Sequence, residues 1–228
     1  MDSVTERTLS SGWLGQVEPE LKREFLRAAQ PRMFADGSAI QGFQEEQTCL
    51  WGVGSGAVRL YVAMNEQVPK LAHVAGPGFW FGDAPVVTGQ PRALQATAAG
   101  NTRLFAIDRA VIANVALRNP DAWLAVAKLV LMNELTAIGA GEDLMIRDSR
   151  ARLVAVLLRL SGRRNAFQGV APIATVPVTQ HELAEASCLS RSSAALILKD
   201  LVARGMIRTV YGSITILDAK ALESVLFE

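Results

Sequence analysis

Residues 190–199 read Ser-Arg-Ser-Ser-Ala-Ala-Leu-Ile-Leu-Lys, a hydroxyl suited to capping a helix followed at once by a guanidinium and a second hydroxyl. On the first turns of a helix these groups can face outward together. Arg191 then offers a two-pronged donor to guanine O6 and N7, and Ser192 a hydroxyl to a base or a phosphate. Upstream, Thr179 and Glu182 stand at the T-x-x-E spacing of a capping box, in which each side chain satisfies a backbone N–H of the other. Two capped helices, a short one ending near Ser187-Cys188-Leu189 and a longer one stopping at Gly205, joined by three or four residues, are the helix-turn-helix layout. IRTVYGSITILD follows as two strands around Tyr211-Gly212-Ser213, a wing.

In such a layout the start of the second helix enters the DNA major groove. The residues expected at the interface are Ser190, Arg191, Ser192, Ala195 and Lys199, with Thr179 and Gln180 near a phosphate at the first helix's N-terminus and Arg208 and Tyr211 on the wing. Leu183, Leu198, Leu201 and Val202 are expected in the core. No GxSxG, HExxH, Walker or dinucleotide-binding pattern occurs, and two histidines leave little general-base chemistry, so an enzyme is not expected. Two cysteines, Cys49 and Cys188, without metal spacing point away from a disulfide framework, zinc or an iron–sulfur cluster. Cys188 is expected to be a small buried residue rather than an oxidation sensor.

The elements that must position this unit precede it. A short amphipathic helix is expected over 18–29, carrying Leu21, Phe25 and Leu26. From 33 to 108 the chain breaks into short alternating runs, notably 48–53, 57–63, 70–75 and 102–107, divided by Gly, Pro, Asn and Asp, the pattern of an all-β barrel or roll. The glycines of GVGSG read as turn residues. Asn119-Pro120-Asp121 opens a long helix with two apolar stripes, Leu124, Leu131, Leu135 and Ile138 on one and Trp123, Val126, Ala127, Val130 and Ala137 on the other. One stripe covers the roll and the other needs a partner. Gly139 and Gly141 weaken the helix late in its course, which suggests a bend or hinge there. A second helix is expected over 150–160.

Half of the 228 residues are hydrophobic, enough for two modest domains and a connector. The net charge of +1 hides an asymmetry: residues 1–147 carry 13 basic and 15 acidic side chains, residues 148–228 carry 10 and 7. The half with the helix-turn-helix is the basic half. The charged N-terminus and the lack of an apolar run of about 18 residues argue against a signal peptide or membrane span and for a cytoplasmic protein.

Three stretches, DGSAIQGFQEEQTCLWGVGSGAVRLYV, PGFWFGDAPVVTGQPRALQATA and TQHELAEASCLSRSSAALILKDLVARGMIRT, resemble in order the β-roll, phosphate-binding cassette and helix-turn-helix of the CRP/FNR family, the cyclic-AMP receptor protein and its relatives. The resemblance implies an α+β protein with a cyclic-nucleotide-binding-like β-roll over 1–118, a dimerisation helix and hinge over 119–146 and a winged helix-turn-helix over 147–228. It implies a homodimer on a two-fold symmetric DNA site, joined through Trp123, Val130, Leu131, Leu135 and Ile138, with RNA polymerase as a further partner and regulation of transcription as the outcome. The alternative is a ligand-sensing module that does not regulate transcription.

Where relatives hold the ribose and cyclic phosphate with Gly-Glu and Arg-Ser or Arg-Thr, this chain has Gly82-Asp83 and Arg92-Ala93. Arg92 still offers a charged contact to an anion and Gly82 still permits close backbone approach. Asp83 is shorter than Glu, Ala93 has lost the hydroxyl, and Ala137 and Ile138 stand where relatives place the Thr and Ser that meet the adenine. Three missing hydrogen bonds argue against cyclic AMP, so the effector is left unassigned. The N-terminal cysteine cluster of oxygen-sensing relatives is absent, and with only His73 and His181 as histidines haem is not expected. In the recognition helix the relatives' Glu is Ser192 and their second base-contacting Arg is Leu196, so their DNA consensus does not transfer.

Overall fold

The computed structural model describes residues 2–42, 48–63, 68–90, 94–167 and 169–227. Helix α1 (Ser3–Leu9), a 3-10 turn (Trp13–Gln16) and α2 (Pro19–Ala28) precede the sheet. Their apolar residues Leu9, Trp13, Leu14, Leu21 and Phe25 are fully or almost fully buried. The Trp13 indole donates to the Ala125 carbonyl at 2.6 Å, tying this N-terminal layer to the long helix.

The roll is one antiparallel sheet of β1 (Gln30–Phe34), β2 (Ala39–Gln41), β3 (Cys49–Val62), β4 (Lys70–Ala75), β5 (Trp80–Phe81) and β6 (Leu94–Asp108), ordered β1-β6-β3-β4 with β2 on β6 and β5 on β3. The alternating runs predict this class correctly but divide it too finely. The segment expected as strand, turn and strand over 48–63 is the single bent β3, whose register with β6 shifts twice between Val53 and Ala57. The GVGSG glycines therefore form an irregularity inside a strand, where a bulge bends and twists the sheet. Trp51, Val53, Val58, Leu60, Phe79 and Phe81 line a closed apolar interior.

Helix α3 (Asp83–Thr88) interrupts the roll and α4 (Arg109–Ala116) closes it. The long helix α5 spans Asp121–Met145. The helix does not end at Gly139 or Gly141, and Gly139 serves a packing need. A Cβ there would lie 2.6 Å from the Asn165 amide nitrogen, which donates to the Gly139 carbonyl at 3.1 Å. By length and composition α5 could cross a membrane. In this fold Ala122, Ala125, Val126, Leu129 and Met132 are instead buried in the core it shares with α1 and α2.

The C-terminal unit comprises α6 (Ser149–Leu160), β7 (Thr175–Val176), α7 (Gln180–Ala186), α8 (Arg191–Ala203), β8 (Ile207–Val210), β9 (Ser213–Ile216) and α9 (Ala219–Ser224), with the strands ordered β7-β9-β8. α6 is buried from Leu153 to Leu160 and forms the spine of a core with Leu183, Leu198, Leu201, Ile207 and Ile214. That core continues into the roll through Leu71 and Val74 of β4.

Candidate nucleic-acid interface and effector cassette

The helix-turn-helix is fixed by local chemistry. Thr179 Oγ1 accepts from the Glu182 amide at 3.0 Å, and Glu182 accepts from the Thr179 amide at 2.7 Å, completing the expected capping box. α7 ends as Leu189 N donates to the Ala184 carbonyl and Cys188 N to the Glu185 carbonyl, both at about 3 Å, the paired bonds of a left-handed helix stop. Cys188 takes that conformation at φ 52°, where a non-glycine residue is strained by about 1–2 kcal/mol. It is exposed, contrary to the expected burial, because a left-handed stop points its side chain away from the small core. Ser190 caps α8 by accepting from the Ser193 amide at 3.1 Å.

α8 then divides its circumference. Ala194, Leu198 and Leu201 are buried, while Arg191, Ser192, Ala195, Leu196 and Lys199 are exposed with Gln180, Arg208 and Tyr211. Thr179 is half-buried in its cap. Val202 is 42% exposed and not a core residue, since it lies beside the buried stripe of Leu198 and Leu201 rather than on it. Arg191 is not loose in solvent: its Nε donates to His181 Nδ1 at 3.0 Å and its Nη2 lies 2.9 Å from His181 Nε2. His181 in turn lies 3.6 Å from a Glu185 oxygen. The residue patterns do not single out His181, because the contact spans two helices.

The cassette is built differently. Gly82 precedes α3 at φ 87°, and a Cβ on it would meet the Cys49 carbonyl at 2.4 Å. Its close backbone approach is thus to β3. Asp83, 8% exposed, accepts from Asn133 Nδ2 of α5 at 2.7 Å, and the same nitrogen reaches the Trp80 carbonyl at 3.3 Å. Burial raises the Asp83 pKa, while its own amide and Asn133 oppose the shift by hydrogen bonding to the carboxylate. On the other side Arg109 Nε donates to the Val86 carbonyl at 2.8 Å, so α3 is held between α5 and α4. Arg92 and Ala93 lie outside the described residues, and Ala137 and Ile138 are exposed on α5. Within the roll, the Trp51 indole nitrogen is buried without a hydrogen-bond partner among the described residues.

Between the two sites runs a junction that the sequence patterns do not reveal. Asp143 of α5, fully buried, receives Arg159 Nε at 2.9 Å and Arg164 Nε at 2.7 Å. Arg159 also donates to the Ala72 carbonyl of β4 at 3.0 Å. From β3, Tyr61 donates its hydroxyl to Glu182, the capping-box carboxylate, at 2.8 Å, and Arg59 donates to the Pro177 carbonyl at 2.7 Å. Burial, and then Glu182, push the Tyr61 phenol up to about 12. The roll therefore grips the first helix of the helix-turn-helix directly.

The exposed stripe of α5 consists of Leu124, Leu131 and Ile138, seven residues apart and each more than half exposed. Leu135 and Val130 flank it half-buried, and Trp123 packs partly against the core.

Residues 31–119 match the cyclic nucleotide-binding domain and residues 151–225 the Crp-like helix-turn-helix domain. A roll of the cyclic nucleotide-binding type joined through a long helix to a winged helix-turn-helix defines the class, a DNA-binding regulator of transcription. The chain is 25% identical over 222 residues to a CRP-like cAMP-activated global transcriptional regulator of Mycobacterium tuberculosis, covering 97% of this chain and 98% of that protein. It is 26% identical over 198 residues to the cyclic AMP receptor protein of Thermus thermophilus, 87% of this chain and 88% of that one. A solved CRP/FNR-family transcriptional regulator, also from Thermus thermophilus, superposes with a TM-score of 0.64 at 25% identity, covering 87% of this chain and 99% of its own. The chain belongs to the CRP/FNR family of transcription regulators.

Proposed function

We propose that this protein regulates transcription as a cytoplasmic homodimer whose two α8 helices enter successive major grooves of a two-fold symmetric site, with RNA polymerase as its further partner. The observation that carries the reading is the outward face of α8, where Arg191, Ser192, Ala195 and Lys199 are all exposed at the capped end of a helix packed on its opposite side. Gln180 and Ser190 add phosphate contacts at the helix starts, and Arg208 and Tyr211 add the wing, whereas the expected contact from Thr179 is withdrawn because its amide and hydroxyl both donate to Glu182. The seven-residue spacing of Leu124, Leu131 and Ile138 supports pairing of α5 with its copy, since an apolar seam at that period is the seam of a two-helix coil. The parts act as a roll over 1–118, a connector over 119–146 and a DNA-binding unit over 147–228.

The effector, where one acts, is an anion held at Gly82, Asp83, Arg92 and Ala93. The Asn133 bond to Asp83 supports a role for that site in setting α5, because any ligand group reaching the carboxylate competes with the helix. The reading is tested by DNA binding at varied salt. Affinity is expected to fall steeply between 50 and 200 mM salt as phosphate contacts release counterions. Arg191→Ala is expected to weaken binding by about 1–3 kcal/mol. Equal affinity of parent and variant overturns the docking of α8.

A further inference from the structure

Leu196 stands where neither packing nor solvent explains a leucine. The core side of α8 is complete with Ala194, Leu198 and Leu201, all at most 2% exposed, whereas Leu196 is 71% exposed. It lies one turn beyond Ser192 and one turn before Lys199, at the i+4 and i−3 positions of the same stripe, with exposed Ala195 beside it. Arg191, which begins this helix, is held toward α7 by its two contacts to His181. Leu196 and Ala195 thus form a small apolar spot beside the hydroxyls of Ser192 and Ser193 and the ammonium of Lys199, with the Asp200 carboxylate one turn on, paired to Arg150 at 3.1 Å.

A patch for docking another protein would be broader and more apolar at its centre. The hydroxyls and the ammonium beside this spot suit a duplex groove, with phosphate at its edges and base edges along its floor, and the one carboxylate nearby is neutralised by Arg150. Leucine has no hydrogen-bonding atom, so it cannot read the donors and acceptors of guanine, adenine or cytosine. The one apolar group that bases present in the major groove is the C5-methyl of thymine.

We propose that Leu196 reads a thymine C5-methyl group in each half-site and so sets one position of the sequence this protein prefers. The inference rests on the docking of α8 in the major groove.

The full-length protein is first allowed to select its site from a randomised duplex pool. Each thymine of that site is then replaced, one at a time, by deoxyuridine, which lacks only the methyl. One thymine per half-site is expected to lose about fourfold in affinity on this replacement, the worth of one buried carbon. Leu196→Ala is expected to bind the thymine and deoxyuridine duplexes equally, while keeping its dependence on Arg191. Leu196→Met, which restores apolar reach, is expected to recover part of the preference. If no thymine matters, or if Leu196→Ala keeps the same deoxyuridine penalty, the proposal is wrong although α8 still docks. If no site is selected and Arg191→Ala changes nothing, the docking itself is wrong and the proposal falls with it.

Discussion

In the cassette, Asp83 is turned onto Asn133 of α5, and Gly82 is pressed against the backbone of β3. On α8, Arg191, Ser192, Leu196 and Lys199 are turned outward, away from the core that Leu198 and Leu201 complete. Both regions resemble ligand sites of the same family, yet the described part of the first engages its own protein while the second faces solvent. Substitutions in the cassette should therefore register in folding, and substitutions on α8 in DNA binding. The junction between them, which belongs to neither, should be the most sensitive of all.

The largest effect is expected at Asp143. Asp143→Ala leaves Arg159, 3% exposed, without its buried counter-charge, a change that costs about 3–5 kcal/mol when one partner of a buried pair is removed. Urea unfolding of the variant would measure this, and a loss below about 1 kcal/mol would show that water replaces the carboxylate. Next comes Gly82→Ala, which forces a Cβ against the Cys49 carbonyl at a left-handed backbone and is expected to cost about 2 kcal/mol of stability. Arg191→Ala, by contrast, should unfold within about 0.5 kcal/mol of the parent, as exposed substitutions do. Comparable losses for these two variants would erase the contrast between the regions.

A further effect concerns pH. His73 of β4, whose Nδ1 is buried without a hydrogen bond among the described residues, is held down to about 3 by burial and then by the Arg159 charge. Its ordinary value is 6.5, so between 6.5 and 3 the unfolded chain takes up the proton that the folded one refuses. The contribution of His73 to stability is complete above about pH 6.5 and is lost as the pH falls toward 3. Unfolding at pH 7.5 and pH 5 should show the decline, and His73→Phe should flatten it. An unchanged slope in that variant would assign the pH dependence elsewhere.

The helix-turn-helix was legible because its determinants are local. Thr179 and Glu182 are three residues apart, as are Ser190 and the Ser193 amide it caps, and the buried stripe repeats at the helical period. Where reasoning from that region failed, at Val202 and Cys188, the error was one of facing: a shift of one residue around a helix, or a left-handed stop, reverses exposure. The glycines misled for another reason. Gly139 resembles a helix breaker until Asn165 is seen to need the space, and the GVGSG glycines resemble turns until β6 is seen to pair across them.

Local spacing, capping chemistry and hydrophobic period were sufficient for the β class of the roll, the long helix, the winged helix-turn-helix and the outward face of α8, because each depends on residues within a turn or two of one another. The engagement of Asp83 by Asn133, the two arginines on Asp143 and the Tyr61 bond to Glu182 were decided by tertiary structure. Those partners stand 16 to 121 residues apart, and only the folded roll and the packed α6 bring them within hydrogen-bonding distance.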